Sequence, residues 1–196
     1  KLRGNMKNYL KQGTLPSLQK LSKALGKDLV FVDLETTGFV NAQNFAIFEV
    51  GIVIVSEKGI IEESSLLDPC TPIPYNITQL TGVTNAMVKG KPTFPNRYLN
   101  FFEKASKDSI LVGFNSKAFD SKGIEKVGRQ NGKNFTFGNQ LDVRYIFARE
   151  RNETKGTSGT LTDAKKLHKI HLDGDAHRAG YDIALTAVIL EVILQK

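Results

Sequence analysis

An α/β fold, a mixed sheet flanked by helices, is what this 196-residue sequence predicts. Three observations carry the prediction. Three apolar, β-branched runs follow one another between residues 30 and 67 with short connections. Strand and helix patterns then alternate to the end of the chain. With 40% hydrophobic and 24% charged residues, the composition is that of a folded domain able to bury a core, not of a disordered chain.

Taken in order, residues 1–27 differ from the rest. A Lys-rich stretch leads to Leu15-Pro16-Ser17, and Leu18, Leu21 and Leu25 follow at helical spacing before Gly26. This is a short amphipathic helix with a glycine stop, read as an N-terminal helical extension to a main domain of residues 28–196. In that domain the first strand is expected from Val30 to Glu35 and the second from Phe45 to Ser56. Glu57-Lys58-Gly59 makes a turn and Ile60 to Leu67 a third strand, so the three form an antiparallel meander. Pro69, Pro72 and Pro74 then impose an extended loop. Next come a helix over Asn96 to Ser106, a strand over Ser109 to Phe114 and a helix over Phe119 to Arg129. An extended piece reaches Leu141 and a helix covers Val143 to Arg151. Asn152 to Gly159, polar and rich in small residues, reads as a mobile loop. A short helix near Thr162 to His168 and a long one after His177 close the chain. The apolar run Ile183 to Leu194 is too short for a membrane span and contains Thr186 and Glu191, which suits a buried helix.

A net charge of +7 favours an anionic partner, nucleic acid first. The single Cys70 excludes an internal disulfide and a cysteine-based metal cluster. No secretory signal shows in Lys1 to Gln12, so an intracellular setting, cytoplasmic or nucleoid-associated, and no membrane are expected.

Acidic residues at the ends of apolar elements carry the chemistry. In Val30-Phe31-Val32-Asp33-Leu34-Glu35-Thr36-Thr37-Gly38 a buried strand runs into two carboxylates and a turn. Alternation puts Asp33 and Glu35 on one face and Leu34 on the other. Two adjacent acids there repel unless a cation, such as a divalent metal, sits between them. In Ile110 to Asp120 a second buried strand leads through Gly113 and Asn115 to Asp120 at a helix start, where the carboxylate can also serve as a cap. In His177-Arg-Ala-Gly-Tyr-Asp182 an acid enters a helix that is otherwise apolar, so it needs a partner. Five helical positions turn by about 140° at ~100° per residue. His177 and Asp182 therefore converge only if His177 lies on the loop before the helix.

Taken together, Val-Asp33-Leu-Glu35-Thr-Thr-Gly, Phe-Asn115-Ser-Lys-Ala-Phe-Asp120 and His177-Arg-Ala-Gly-Tyr-Asp182 resemble the motifs of the DEDD superfamily of 3′–5′ exonucleases in its histidine variant. Ile47-Phe-Glu49-Val-Gly, Leu80-Thr-Gly-Val-Thr84 and Gln140-Leu-Asp142-Val resemble further signatures of that family. Four residues separate Asn115 from Asp120 where many members have three, and Tyr181, adjacent to Asp182, does not fit the tyrosine variant. The resemblance implies an RNase H-like, five-stranded mixed sheet and hydrolysis of phosphodiester bonds from the 3′ end of nucleic acid, DNA before RNA.

It further implies two divalent metal ions, Mg²⁺ or Mn²⁺, held by Asp33, Glu35, Asp120 and Asp182, with His177 as general base. Leu34, Thr36, Leu80 and Asn115 would border the substrate, a single-stranded 3′ end. A DNA polymerase or another attached domain is the implied partner. Phe39, Leu80 and Phe119 are candidate stacking residues, with core packing the expected fate of Phe119. Lys117, Lys122, Lys126, Arg129 and Lys133, and Arg144, Arg149, Arg151 and Lys155, form basic groups expected to be mostly solvated, with a subset on phosphate. Two other readings stay open: a nucleic-acid-binding domain without activity, and a zinc cluster of His168, His171, Asp173, Asp175 and His177.

Overall fold

The strand-first pattern and the later alternation both appear in the computed structural model, which describes residues 10, 15–153 and 159–196. Helix α1 (Pro16–Leu25) precedes strands β1 (Leu29–Thr36), β2 (Ile47–Ser56) and β3 (Gly59–Leu66). Helices α2 (Tyr75–Thr81), α3 (Asn85–Val88) and α4 (Phe94–Asp108) lead to β4 (Ile110–Gly113). Then come α5 (Asp120–Gln130), β5 (Gln140–Asp142), α6 (Val143–Glu150), α7 (Leu161–Leu167) and α8 (Ala179–Leu194). The strands form one sheet in the order β3-β2-β1-β4-β5. The meander pairs antiparallel, and β4 and β5 add in parallel after helical crossovers.

Period-two alternation sends the strand side chains into two cores. Val30, Val32 and Leu34 of β1 join Val50 and Ile52 of β2 against Phe102 of α4 and Ile124 of α5. Leu29 and Phe31 join Val53 and Val55 against α8 on the other face. Helix α8 is apolar all round because the sheet covers one side and α1 and α7 cover the other. Its buried Glu191 is answered at the start of α1. Leu15 precedes that helix and has no capping side chain, and both carboxylate oxygens accept instead from the amides of Ser17 and Leu18 at 2.9 Å. Leu15 and Leu18 thereby enter the same core as α8, so the described part of residues 1–27 is packed into the fold. Among the described residues no helix is long and apolar enough to cross a membrane.

The structure departs from expectation in two places, and a third expectation falls mostly outside the described residues. The prolines end β3 as expected, but Pro74 starts α2 instead of prolonging an extended loop: its φ of −59° suits the residue before a first turn, and Gly82 at φ 72° ends the helix. Strand β5 is only three residues long. Most of the loop expected over Asn152 to Gly159, including Lys155, lies outside the described residues.

One glycine sets how closely the two layers meet. Gly51 of β2 pairs with Asp33, and a Cβ placed on it would lie 2.1 Å from the carbonyl oxygen of Ala179. The backbone of the first turn of α8 therefore rests directly on the sheet. Gly51→Ala is expected to destabilise the fold by up to ~3 kcal/mol and to weaken divalent-metal binding, because Asp182 rides on the displaced turn. Urea unfolding and calorimetric titration with Mn²⁺ check both; a variant with wild-type stability would refute the contact.

Candidate active site

Three elements deliver acids to one point. β1 presents Asp33 and Glu35 on the α8 face, while Leu34 is buried in the opposite core. Across the pair β2 places Gly51 opposite Asp33 and Glu49 opposite Glu35. The gap above Gly51 admits the start of α8, and ligand oxygens of Asp33, Glu35 and Asp182 lie within 4.8 Å of one another.

Asp120 arrives from the other side. Strand β4 pairs with β1 only as far as Phe31, so the Leu34 amide has passed the end of its neighbour. The Asp120 carboxylate accepts that amide at 3.0 Å, which ties the start of α5 to the strand of Asp33. The turn before it is held in the same manner. Buried Asp142 accepts from the amides of Asn115 at 2.8 Å, Lys117 at 3.2 Å and Arg144 at 3.1 Å. Asn115 itself adopts a left-handed φ of 67°, and its side-chain oxygen accepts from Arg144 Nη1 at 3.1 Å.

His177 lies on the loop before α8, the only arrangement in which it could reach Asp182. It takes a left-handed φ of 60°, its side chain is exposed, and its amide donates to Asp182 Oδ2 at 3.0 Å. Arg178 follows and turns the other way. Its Nε lies 3.0 Å from each oxygen of Glu49, and its Nη2 donates to Oε1 at 2.9 Å. Glu49 is only 3% exposed, so this charge-assisted pairing prevents a bare buried carboxylate beside Glu35.

Electrostatics record the crowding. Asp33 is pushed well above the ordinary carboxylate range, by burial first and then by Asp120, Glu35, Asp182 and Glu49. Glu35 rises from 4.5 to about 8 through burial, Glu49, Asp182 and Asp120, with Arg178 opposing. Burial lifts Asp120 to about 8 against the pull of the Leu34 amide. Burial also lifts Asp182 to about 6, against the amide and the charge of His177. A cluster that resists ionising so strongly is one that a cation relieves. Its donors are all carboxylate oxygens, which suit hard divalent ions such as Mg²⁺ and Mn²⁺.

Of the residues assigned to the substrate, Leu34 is buried with its amide engaged. Thr36 is buried and donates its hydroxyl to Gly38 O at 2.9 Å. Leu80, on α2, is 56% exposed and Phe39, just past β1, is 78% exposed, whereas Phe119 packs on the core. The zinc reading fails. Among the described residues the only acid, His or Cys group at metal-ligand spacing is Asp33, Glu35 and Asp182. His168 is turned to Glu150 at 2.9 Å and His171 is exposed. The Glu49–Arg178 pair carries no signal of its own at the level of sequence, although both residues lie inside recognised motifs. Lys126 is not part of a solvated basic face: it donates to the carbonyls of Val40 and Ala42.

Comparison with known proteins shows the family and the fold. The family model for RNase T-type exonucleases matches residues 30–190. The DNA polymerase III subunit epsilon of Aquifex aeolicus is 38% identical over 184 residues, covering 92% of this chain and 87% of that protein. A PolC-type DNA polymerase III from Clostridium perfringens is 39% identical over 175 residues, which cover 86% of this chain but 11% of the polymerase. The chain thus spans about a tenth of the PolC-type relatives that it matches. The zinc-bound Escherichia coli exonuclease I–single-stranded DNA complex shares the fold, with a TM-score of 0.73 at 16% identity over 87% of this chain and 41% of that one. With its four acids and histidine on an RNase H-like sheet and a family match across most of its length, the chain belongs to the RNase T exonuclease family of the DEDD superfamily.

Proposed function

We propose that this site hydrolyses phosphodiester bonds one nucleotide at a time from the 3′ end of single-stranded DNA. The observation that carries the reading is the convergence of Asp33, Glu35 and Asp182 beside Asp120, with an exposed histidine on the loop next to them. Asp33, Glu35, Asp120 and Asp182 would hold two divalent ions, Mg²⁺ or Mn²⁺. When bound, these ions supply positive charge to the attacking and leaving oxygens of the displacement. His177 takes the proton of the attacking water. Its exposed imidazole sits on a strained left-handed residue whose backbone amide is held by a hydrogen bond to Asp182. Glu49 and Arg178 keep His177 and Glu35 in place from behind. Phe39 and Leu80 offer exposed apolar faces to unpaired bases, while buried Leu34 and Thr36 and the tethered Asn115 shape the backbone beneath them. DNA is preferred to RNA because the relatives are named as DNA polymerase III subunits and a fold neighbour holds single-stranded DNA. The same names support a place beside a DNA polymerase, as a subunit or as a domain of a longer chain, where removal of 3′ nucleotides would serve proofreading or repair.

Digestion of end-labelled strands tests the reading. Shortening from the 3′ end, dependent on Mg²⁺ or Mn²⁺ and faster on DNA than on matched RNA, is expected. Faster loss of RNA would move the substrate to RNA, and binding without cleavage would make this a recognition domain. His177→Ala should lower turnover by about 10²–10⁴-fold while leaving Mn²⁺ titration nearly as in the wild type; near-normal kinetics would remove the histidine from the mechanism.

The raised acids also make a thermodynamic prediction. Each binds its proton more tightly folded than unfolded, so metal-free stability falls as pH rises from about 4 to about 8. Scanning calorimetry should show a falling Tm across that window, and Mn²⁺ should raise Tm more at pH 8 than at pH 5. Asp33→Ala should abolish cleavage yet raise the metal-free Tm at pH 8. A lower Tm in that variant would mean that Asp33 is structural.

A further inference from the structure

The loop between β1 and β2 continues directly from the strand of Asp33 and Glu35. Thr37 closes its base: its amide donates to Ala46 O at 2.9 Å, its hydroxyl donates to Asn44 O at 2.8 Å, and the Ala46 amide returns to that hydroxyl at 2.9 Å. Inside the loop the Ala42 amide donates to Phe39 O at 2.9 Å, and Phe39 stands exposed. Thr37 fixes where the loop starts and ends but not how its tip leans.

Lys126 supplies the missing constraint from α5. Its ammonium donates to Val40 O and to Ala42 O, both at 2.7 Å, and lies 5.3 Å from the centre of the Phe45 ring. The same helix meets that ring more closely at Gly123, where a Cβ would lie 2.8 Å from Phe45 Cζ. Two backbone carbonyls on either side of one loop position, gripped by a single half-buried ammonium, make a clamp. Nothing about this geometry faces phosphate: two of the three N–H donors are spent on the loop. Helix α5 therefore holds Asp120 against β1 at its first residue and, two turns on, holds the loop that follows β1.

We infer that Lys126 is a positioning residue that sets the height of the 38–45 loop, and with it the place of Phe39 against the end of the bound strand. This rests on the reading of the site as an exonuclease for single strands. Removing the clamp should weaken strand capture and leave the bond-breaking groups where they are. A lysine that touched phosphate would instead contribute to the salt dependence of binding.

Steady-state kinetics on a single-stranded DNA of fixed length, at several salt concentrations, test the inference with Lys126→Met, Lys126→Arg, Phe39→Ala and the Lys126→Met/Phe39→Ala double variant. Lys126→Met should raise KM about tenfold, as loss of one charged hydrogen-bonding group does, with kcat within about twofold. Lys126→Arg, which keeps charge and donors, should recover most of the loss. The double variant should be no worse than Phe39→Ala alone. The slope of log KM against log salt should stay that of the wild type. A second readout needs no turnover: the chain has no Trp, so Phe39→Trp places a sole tryptophan on the loop, excited selectively over the five tyrosines, and its anisotropy without DNA should fall when Lys126→Met is added. A wild-type KM, additive effects in the double variant, a salt slope reduced by about one, or an unchanged anisotropy would overturn the clamp. A wild-type protein that neither cleaves nor binds single strands would instead overturn the exonuclease reading, and the anisotropy arm would still judge the clamp.

Discussion

Holding four carboxyl groups around one point, against burial and mutual repulsion, is the constraint on which the other features of this structure depend. Asp33 and Glu35 are fixed by the alternation of β1, and Asp120 is fixed by the amide that β4 leaves unpaired. Asp182 is fixed by the descent of α8 onto Gly51. None of the four has an ion-pair partner among the described basic side chains. The cationic side chain nearest in the chemistry, Arg178, is committed to Glu49. Burial and repulsion make the cluster hold its protons more tightly, a bound cation would relieve both, and its stability is thereby linked to pH and to metal.

The support around the cluster is mostly backbone gripped by side chains. Asp142 takes three amides, Asp120 one, Asp182 one and Lys126 two carbonyls. Each of these bonds fixes the turn or loop that carries the next functional group. A turn held this way needs no apolar packing of its own, so it can stay at the surface where a strand end could reach it. Asn115 and His177 both adopt left-handed backbone that a side chain disfavours, and each is tied through its amide to a carboxylate. Strain and tether occur together at the two turns that enter the site.

α1 shows how a polar residue on an apolar helix can serve packing without chemistry. Glu191 and Asp182 both interrupt the apolar surface of α8. Glu191 is satisfied by two amides at the start of α1, while Asp182 is left with one amide and two acidic neighbours, Asp33 and Glu35. The difference in partners, not in residue type, separates a cap from a candidate ligand.

Much of this was legible in the sequence. Period-two alternation placed Asp33 and Glu35 on one face, and the apolar run after His177 required a buried helix whose acid needed an explanation. The geometric limit on His177 and Asp182 likewise follows from 3.6 residues per turn alone. Local patterns report which face a side chain takes and where an element starts, because both depend on near neighbours in the chain. What only the tertiary structure decided is which partner each polar group meets. Asp120 could have been an ordinary helix cap, Lys126 a solvated lysine and Glu49 an unremarked strand residue. Their roles come from Leu34, Val40, Ala42 and Arg178, which lie 84 to 129 residues away along the chain. Contacts at that separation exist only once the sheet has fixed the order of its strands, and no periodicity within one segment encodes them.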